Sequence, residues 1–142
     1  MSETALPEFS LKGRTALVTG AGRGIGRTLA LGLAEAGADI VAMSRSAEEL
    51  DAVAGEIKER GCEASTVVCD VTETEAMRIA IAGLPKLDIL INNAGVSGSH
   101  PDVLNTETWD EQMNVNARGV FLGMRAVIPK MQEAGGGSMV NI

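Results

Sequence analysis

The sequence predicts an α/β domain with a doubly wound parallel sheet of about five strands. Short apolar runs alternate with longer segments in which apolar residues recur at helical spacing. The loops between them are brief, and no linker or internal repeat divides the 142 residues. Alternation of this kind is typical of parallel strands whose two faces are covered by helices.

The first strand–helix unit follows a polar segment at residues 1–10, which is predicted to be a loosely held arm. The strand covers residues 14–19, whose apolar and partly β-branched run suits a buried strand. A glycine-rich turn leads from it into a helix over residues 24–36. Gly37 follows as an expected helix cap.

The next helices have recognisable start signals. Ser46 with Glu49, and Thr72 with Glu75, have the spacing of a capping box, in which side chains satisfy backbone groups at a helix N-terminus. The predicted units are a strand over residues 40–43 with a helix over 46–60, and a strand over 64–69 with a helix from about 72 to 82.

The rest of the chain is predicted to add a strand over residues 88–91, a rim loop over 96–105 and one long helix over 106–133. Methionine and other apolar residues keep roughly helical spacing along that helix, and Pro129 is expected to kink its last turns. Residues 138–142 begin a fifth strand.

The composition excludes several classes of function. A net charge of −7, from 12 Lys and Arg against 19 Asp and Glu, disfavours a nucleic-acid partner. Cys62 and Cys69 form no metal or redox motif and are expected to be reduced thiols. Neither a signal peptide nor a run of membrane-spanning length is visible, so a cytoplasmic protein with no membrane partner is expected.

The glycine-rich turn over residues 19–26 reads T-G-x-x-x-G-x-G. Glycine suits a tight turn after a strand, and it lets a pyrophosphate approach backbone N–H groups where no Cβ intrudes. The pattern departs from G-x-G-x-x-G, because Ile25 occupies the third glycine position. A purely structural turn is the alternative interpretation.

Further polar signals fall at the ends of predicted strands, namely Arg45, Asp70 and the Asn-Asn-Ala-Gly segment over residues 92–95. In a parallel α/β sheet, ligands bind outside the carboxyl ends of the strands. These signals and the glycine turn are therefore predicted to meet at one edge of the sheet.

Several motifs, in this order along the chain, resemble those of the short-chain dehydrogenase/reductase family. They are T-G-x-x-x-G-I-G over residues 19–26, Asp70-Val71, N-N-A-G over residues 92–95 and Asn116-Ala117-Arg118-Gly119. The resemblance runs from about residue 11 to residue 142. It implies a Rossmann-like NAD(P)-binding domain over residues 11–142 and hydride transfer between a nicotinamide and a carbonyl or alcohol substrate.

The resemblance also implies a role for each matching residue. The pyrophosphate and nearby ribose would be held by Gly20, Arg23, Gly24, Ile25 and Gly26; the adenine by Asp70 and Val71; and other parts of the cofactor by Asn93, Ala94 and Gly95. Asn116 matches a catalytic-site asparagine that anchors a water path, and Asn92 is expected to tie neighbouring strands together. The alternatives are a strand-end carboxylate for Asp70 and local backbone bonding within the helix for Asn116.

Cofactor choice can be argued from the end of the second strand. An acidic residue there would bind the 2′-hydroxyl of NAD, whereas this chain has Ser44 followed by Arg45. A hydroxyl beside a guanidinium favours the 2′-phosphate of NADP, and Arg23 adds a second positive charge. NADP is therefore the predicted cofactor, with NAD as the other possibility. Alternatively, Arg45 is a solvated residue before the helix cap at Ser46.

The family's catalytic serine and its Y-x-x-x-K pair would lie past Ile142, and the sequence contains no tyrosine. The chain alone is therefore expected to be inactive. One hypothesis is the cofactor-binding portion of an oxidoreductase, completed by residues beyond this sequence. The other is a stand-alone nucleotide-binding module that regulates or scaffolds a partner. An uncovered fifth strand and self-association through the long helix are also expected.

Overall fold

The structure is a computed structural model that describes residues 7–97, 100–102 and 104–142. Most of the predicted N-terminal arm, residues 1–6, lies outside these ranges, as do residues 98, 99 and 103 of the predicted rim loop. Pro7–Phe9 form one turn of 3-10 helix ahead of the first strand.

Five parallel strands form one sheet, and helices cover both faces, which confirms the predicted fold class. The strands are β1 (Thr15–Thr19), β2 (Asp39–Ser44), β3 (Ala64–Val68), β4 (Ile89–Asn92) and β5 (Ser138–Asn141). The helices are α1 (Gly24–Glu35), α2 (Ala47–Glu59), α3 (Thr74–Ala82), α4 (Thr106–Met113) and α5 (Gly119–Glu133).

The two faces of the sheet bury separate apolar cores because side chains alternate along each strand. On β1, Ala16 and Val18 pack with α1 and α2 on one face. Leu17 points to the other face, where it packs with residues of α3 and α5. This alternation holds both layers of helices against one sheet.

The strand order is β3-β2-β1-β4-β5, so the chain moves outward from β1 in one direction and then crosses to the other side. The direction reverses between β1 and β4, which pair in parallel with Leu17 opposite Leu90. In doubly wound sheets this reversal opens a crevice at the carboxyl ends of the strands. The glycine turn after β1 and the segment after β4 both lie there.

Two helical predictions were wrong in detail. The single helix predicted over residues 106–133 is interrupted by a π-helical segment, Asn114–Arg118, between α4 and α5. The predicted cap at Thr72 is also wrong, because α3 is preceded by Glu73 and has no side-chain cap. The Thr72 hydroxyl instead donates to Oδ1 of Asp70 at 2.8 Å. The predicted cap at Ser46 is confirmed, since its Oγ accepts from the Glu49 amide.

The fifth strand is the least buried part of the sheet. It pairs with β4, with Met139 opposite Leu90, but all of its residues are exposed. Exposed apolar side chains also lie here, including Val140 and Ile142. The uncovered surface expected at β5 is confirmed.

Asp88 fastens the amino ends of β1 and β4. Its side chain is almost fully buried, and its Oδ2 accepts from the Thr15 amide at 2.9 Å and pairs with Lys86 Nζ at 3.1 Å. Burial alone would raise the pKa of Asp88. The bonds from Thr15 and Lys86, with Arg14 at 3.4 Å, outweigh it and lower this pKa below the ordinary aspartate value.

We expect Asp88→Asn to lower the free energy of unfolding by about 1–3 kcal/mol at neutral pH, because it removes a buried charge from paired cations. A depressed pKa stabilises the fold above the ordinary aspartate pKa and ceases to do so as the pH falls through the folded value. The difference between variant and wild type should therefore shrink below about pH 4.

Urea unfolding followed by circular dichroism at neutral and acidic pH measures this difference. Asp51→Asn, at an exposed position on α2, serves as the matched control. An equal loss of stability at both pH values would contradict the assignment to the carboxylate charge.

Candidate cofactor-binding site

A cavity of about 490 Å³ lies at the carboxyl edge of the sheet. The structure brings most of the predicted site residues together in its walls. They are Gly20, Arg23, Gly24, Ile25, Ser44, Arg45, Asp70, Val71, Asn93, Ala94 and Gly95. The predicted convergence of the glycine turn, the β2 end, the β3 end and the segment after β4 is thus observed.

The glycine turn is shaped by close backbone packing. Gly20 has a φ of +65°, and a Cβ there would lie 2.9 Å from the Cα of Ala94. Gly26 does not line the cavity; it lies beneath the turn, where a Cβ would collide with the carbonyl oxygen of Gly20. Gly26 therefore supports the cradle from below, whereas Gly20 forms part of its surface.

Helix α1 points its N-terminus at the cavity. It begins at Gly24, and the preceding residue, Arg23, makes no side-chain cap. Open space lies where a Cβ of Gly24 would stand. A helix start offers N–H donors and partial positive charge, so this cradle fits the pyrophosphate of a dinucleotide.

Thr19 joins the glycine turn to the segment after β4. Its buried Oγ1 accepts from the amides of Asn93 and Ala94, each at 3.0 Å. The side-chain Nδ2 of Asn93 donates to the carbonyl oxygens of Thr19, at 3.2 Å, and Gly20, at 3.3 Å. Sequence reasoning used Thr19 only as the first letter of a motif and missed this role.

Asp70 provides a carboxylate at the end of β3. Its Oδ1 accepts from the Thr72 amide at 2.9 Å and from the Thr72 hydroxyl at 2.8 Å. The Thr72 amide is the largest influence and lowers the pKa of Asp70; burial opposes it, and the Thr72 hydroxyl and the Arg45 charge add to it. Asp70 therefore stays an ionised acceptor in the cavity wall at neutral pH.

Asn116 lies behind the cavity wall, within the π-helical segment. Its Oδ1 accepts from the Val96 amide and its Nδ2 donates to the Val96 carbonyl oxygen, both at 2.8 Å. Local bonding within the helix, the alternative interpretation, is not what these contacts show. Val96 itself lines the cavity, so Asn116 positions the segment that follows β4.

Asn92 has the structural role expected for it. Its Nδ2 donates to Oδ1 of Asn141 on β5 at 3.0 Å and to the carbonyl oxygen of Val120 on α5 at 3.4 Å. The side chain thus ties β4 to the neighbouring strand and to the helix packed on it.

Other contributors escaped sequence reasoning. Gly22, Ser46, Glu49, Cys69, Val96 and Val115 also line the cavity. Arg118 braces it from outside by donating to the Thr72 carbonyl oxygen at 3.0 Å and the Thr74 hydroxyl at 3.1 Å. Gly22 was visible inside the glycine motif, whereas Glu49 was interpreted only as a helix-capping residue.

Within residues 7–97, 100–102 and 104–142, no group of three or more His, Cys, Asp or Glu side chains could hold a metal ion. Cys62 and Cys69 are free thiols, and burial raises the pKa of each. Among the same residues, no helix has the length and apolar character of a membrane span.

Comparison with known proteins confirms the family suggested by the motifs. A family model described as short chain dehydrogenase matches residues 14–142. The chain belongs to the short-chain dehydrogenase family. Gluconate 5-dehydrogenase from Gluconobacter oxydans is 44% identical over 139 residues, covering 94% of this chain and 54% of that protein.

Solved structures of two dehydrogenases share the fold. A gluconate 5-dehydrogenase from Burkholderia cenocepacia, in complex with NADP and tartrate, matches with a TM-score of 0.84 and 43% identity over 92% of this chain and 53% of that one. An NAD+-bound xylitol dehydrogenase matches with a TM-score of 0.86 and 34% identity over 92% and 52%. The chain spans about half the length of these relatives.

We expect Thr19→Val to lower the free energy of unfolding by about 1–3 kcal/mol, because the amides of Asn93 and Ala94 lose their buried acceptor. Hydrogen exchange at these two amides should accelerate, and urea unfolding gives the stability. Thr19→Ser keeps the hydroxyl and should retain slow exchange. Equal exchange in the two variants would show that the hydroxyl does not hold the segment.

Proposed function

We propose that these 142 residues form the cofactor-binding portion of an NAD(P)-dependent oxidoreductase that interconverts a carbonyl and an alcohol. The observation that carries the proposal is the single cavity in which a glycine cradle, the N-terminus of α1, the Asp70 carboxylate and the segment after β4 face one another. Membership of the short-chain dehydrogenase family supports it.

Each part of the cavity suits one part of a dinucleotide. The backbone of Gly20, Gly24 and Ile25, with Gly26 beneath them, would hold the pyrophosphate, and Arg23 would add positive charge. This arrangement would place the negative groups of the cofactor at the N-terminus of α1, whose first residues line the cavity.

The remaining walls would hold the two ends of the cofactor. Asp70, beside Val71, offers an acceptor for the adenine amino group, and Asn93, Ala94 and Gly95 line the opposite part. The nicotinamide, when bound, supplies or takes the hydride. Asn116 would serve the catalytic site by fixing Val96 and, as the resemblance implies, by anchoring a water path.

The proton-transfer residues are proposed to come from outside these 142 residues. The family pattern uses a serine, a tyrosine and a lysine, and this sequence contains no tyrosine. We further propose an arm over residues 1–10 and a nucleotide-binding domain over residues 11–142. A cytoplasmic location and a small-molecule carbonyl or alcohol substrate complete the proposal.

NADP is the proposed preferred cofactor, with NAD as the alternative. Ser44 and Arg45 line the cavity at the end of β2, and Arg23 lines it nearby. Arg45 is exposed and lines the cavity, and its charge helps to lower the pKa of Asp70, which supports a position beside the site. Among relatives, one gluconate 5-dehydrogenase structure contains NADP and one xylitol dehydrogenase structure contains NAD+.

The surface of α4 and α5 is proposed as a self-association surface. Trp109 is 65% exposed and Phe121 is 56% exposed, with Met113 and Ile128 also exposed on these helices. Exposed large apolar side chains on these two helices favour an interface over solvent. The exposed strand β5 is proposed as the surface on which a C-terminal portion of the protein packs.

We expect the purified chain to bind NADPH but to show no carbonyl reduction, because it can hold the cofactor and cannot deliver the proton. Isothermal titration calorimetry measures binding, and loss of NADPH absorbance with a panel of carbonyl compounds measures turnover. Turnover by the chain alone would contradict the account of the missing tyrosine. Absence of binding would contradict the proposed function itself.

We expect Arg45→Ala to lower the ratio of NADPH to NADH affinity by about tenfold or more, since it removes a charged hydrogen-bond donor from the 2′-phosphate. Titrations with both cofactors give the ratio. Arg125→Ala, at an exposed arginine on α5, is the matched control. An unchanged ratio in the Arg45 variant would mean that Arg45 does not recognise the phosphate.

A further inference from the structure

Glu49 places a carboxylate in the corner of the cavity where β2 ends. It lies in the first turn of α2 and lines the cavity with Ser44 and Arg45. A Cβ built on Gly22 would lie 2.6 Å from Oε2 of Glu49 and 3.1 Å from Oγ of Ser44. The carboxylate, the hydroxyl and the Gly22 backbone therefore meet at one point of the cavity wall.

The Glu49 carboxylate takes no part in capping α2. In a complete capping box, the Glu49 side chain would accept from the Ser46 amide. Only half of the box forms: Ser46 Oγ accepts from the Glu49 amide at 3.4 Å, while the Ser46 amide donates to Ser44 Oγ at 3.2 Å. Within the described residues, the Glu49 carboxylate forms no hydrogen bond or ion pair.

A carboxylate in this corner distinguishes two chemical groups. It can accept a hydrogen bond from a ribose hydroxyl, and it repels a phosphate that carries negative charge. Arg45 and Arg23 have the opposite preference. No acidic residue ends β2, but Glu49 in the first turn of α2 places a carboxylate beside Ser44, the last residue of β2.

We propose that Glu49 is a specificity-determining residue that repels the 2′-phosphate of NADP and accepts a hydrogen bond from the 2′-hydroxyl of NAD. This inference rests on the proposed dinucleotide-binding function. Arg45 and Glu49 then act against each other at one site, and the selectivity of the wild-type protein for NADP is smaller than Arg45 alone would give.

Neutralising the carboxylate tests the inference by binding alone. In the full chain, Glu49→Gln should raise the ratio of NADPH to NADH affinity by about tenfold, because a repulsive charge is removed next to the 2′ position. Calorimetric titration with adenosine 2′,5′-bisphosphate and with 5′-AMP isolates the adenosine half. The bisphosphate should bind more tightly to the variant, and 5′-AMP should not.

Glu48→Gln is the matched control, because Glu48 lies in the same helical turn, is exposed and is not part of the cavity wall. Glu48→Gln changes the net charge and the charge at the start of α2 by the same amount as Glu49→Gln does. It should leave the ratio of NADPH to NADH affinity within about twofold of the wild-type value. Glu49→Asp keeps the charge but shortens the side chain. It should give an intermediate ratio and serves as the second variant if Glu49→Gln does not fold.

An equal ratio in the Glu49→Gln and Glu48→Gln variants would overturn the role of Glu49 while leaving the proposed function in place. Failure of the wild-type chain to bind either dinucleotide would overturn the proposed function instead. The two failures are therefore separated by the wild-type titration.

Discussion

The hydroxyl of Thr19 is the contact on which the geometry of the cavity depends. Strands β1 and β4 are adjacent in the sheet but far apart along the chain, and each ends in a segment that faces the cavity. One buried oxygen atom accepts from two amides of the second segment at 3.0 Å. The protein's own contacts therefore hold the glycine turn against the backbone of Asn93 and Ala94 and fix this part of the cavity wall.

A second connection runs behind this wall through the π-helical segment Asn114–Arg118. Asn116 bonds to Val96 on one side, and Arg118 bonds to Thr72 and Thr74 on the other. Short π segments add a residue to a helix and redirect its side chains, often at functional sites. Here this short segment supports the part of the cavity near Asp70 through Arg118 and the segment after β4 through Asn116.

Local patterns predicted the strand–helix alternation and most of the cavity wall, because apolar spacing and strand-end residues are properties of neighbouring positions. The extra residue in the long helix was not predictable, since helical spacing hardly changes across a single π turn. Thr72 and Glu49 were assigned to caps by spacing alone. In the fold, the Thr72 hydroxyl donates to Asp70 and the Ser46 amide donates to Ser44, so neither group is left for the expected cap. Spacing along a helix does not reveal these partners, because they lie before the helix starts.

Asp88 and the cavity lie at opposite ends of the same strands. The ion pairs of Asp88 lie at the amino edge, whereas the walls of the cavity come from residues at the carboxyl edge. The stabilising contacts of Asp88 and the cavity are therefore separated by the length of the strands. Substitutions in the loops at the carboxyl edge can therefore reshape the cavity while the contacts of Asp88 at the amino edge stay unaltered.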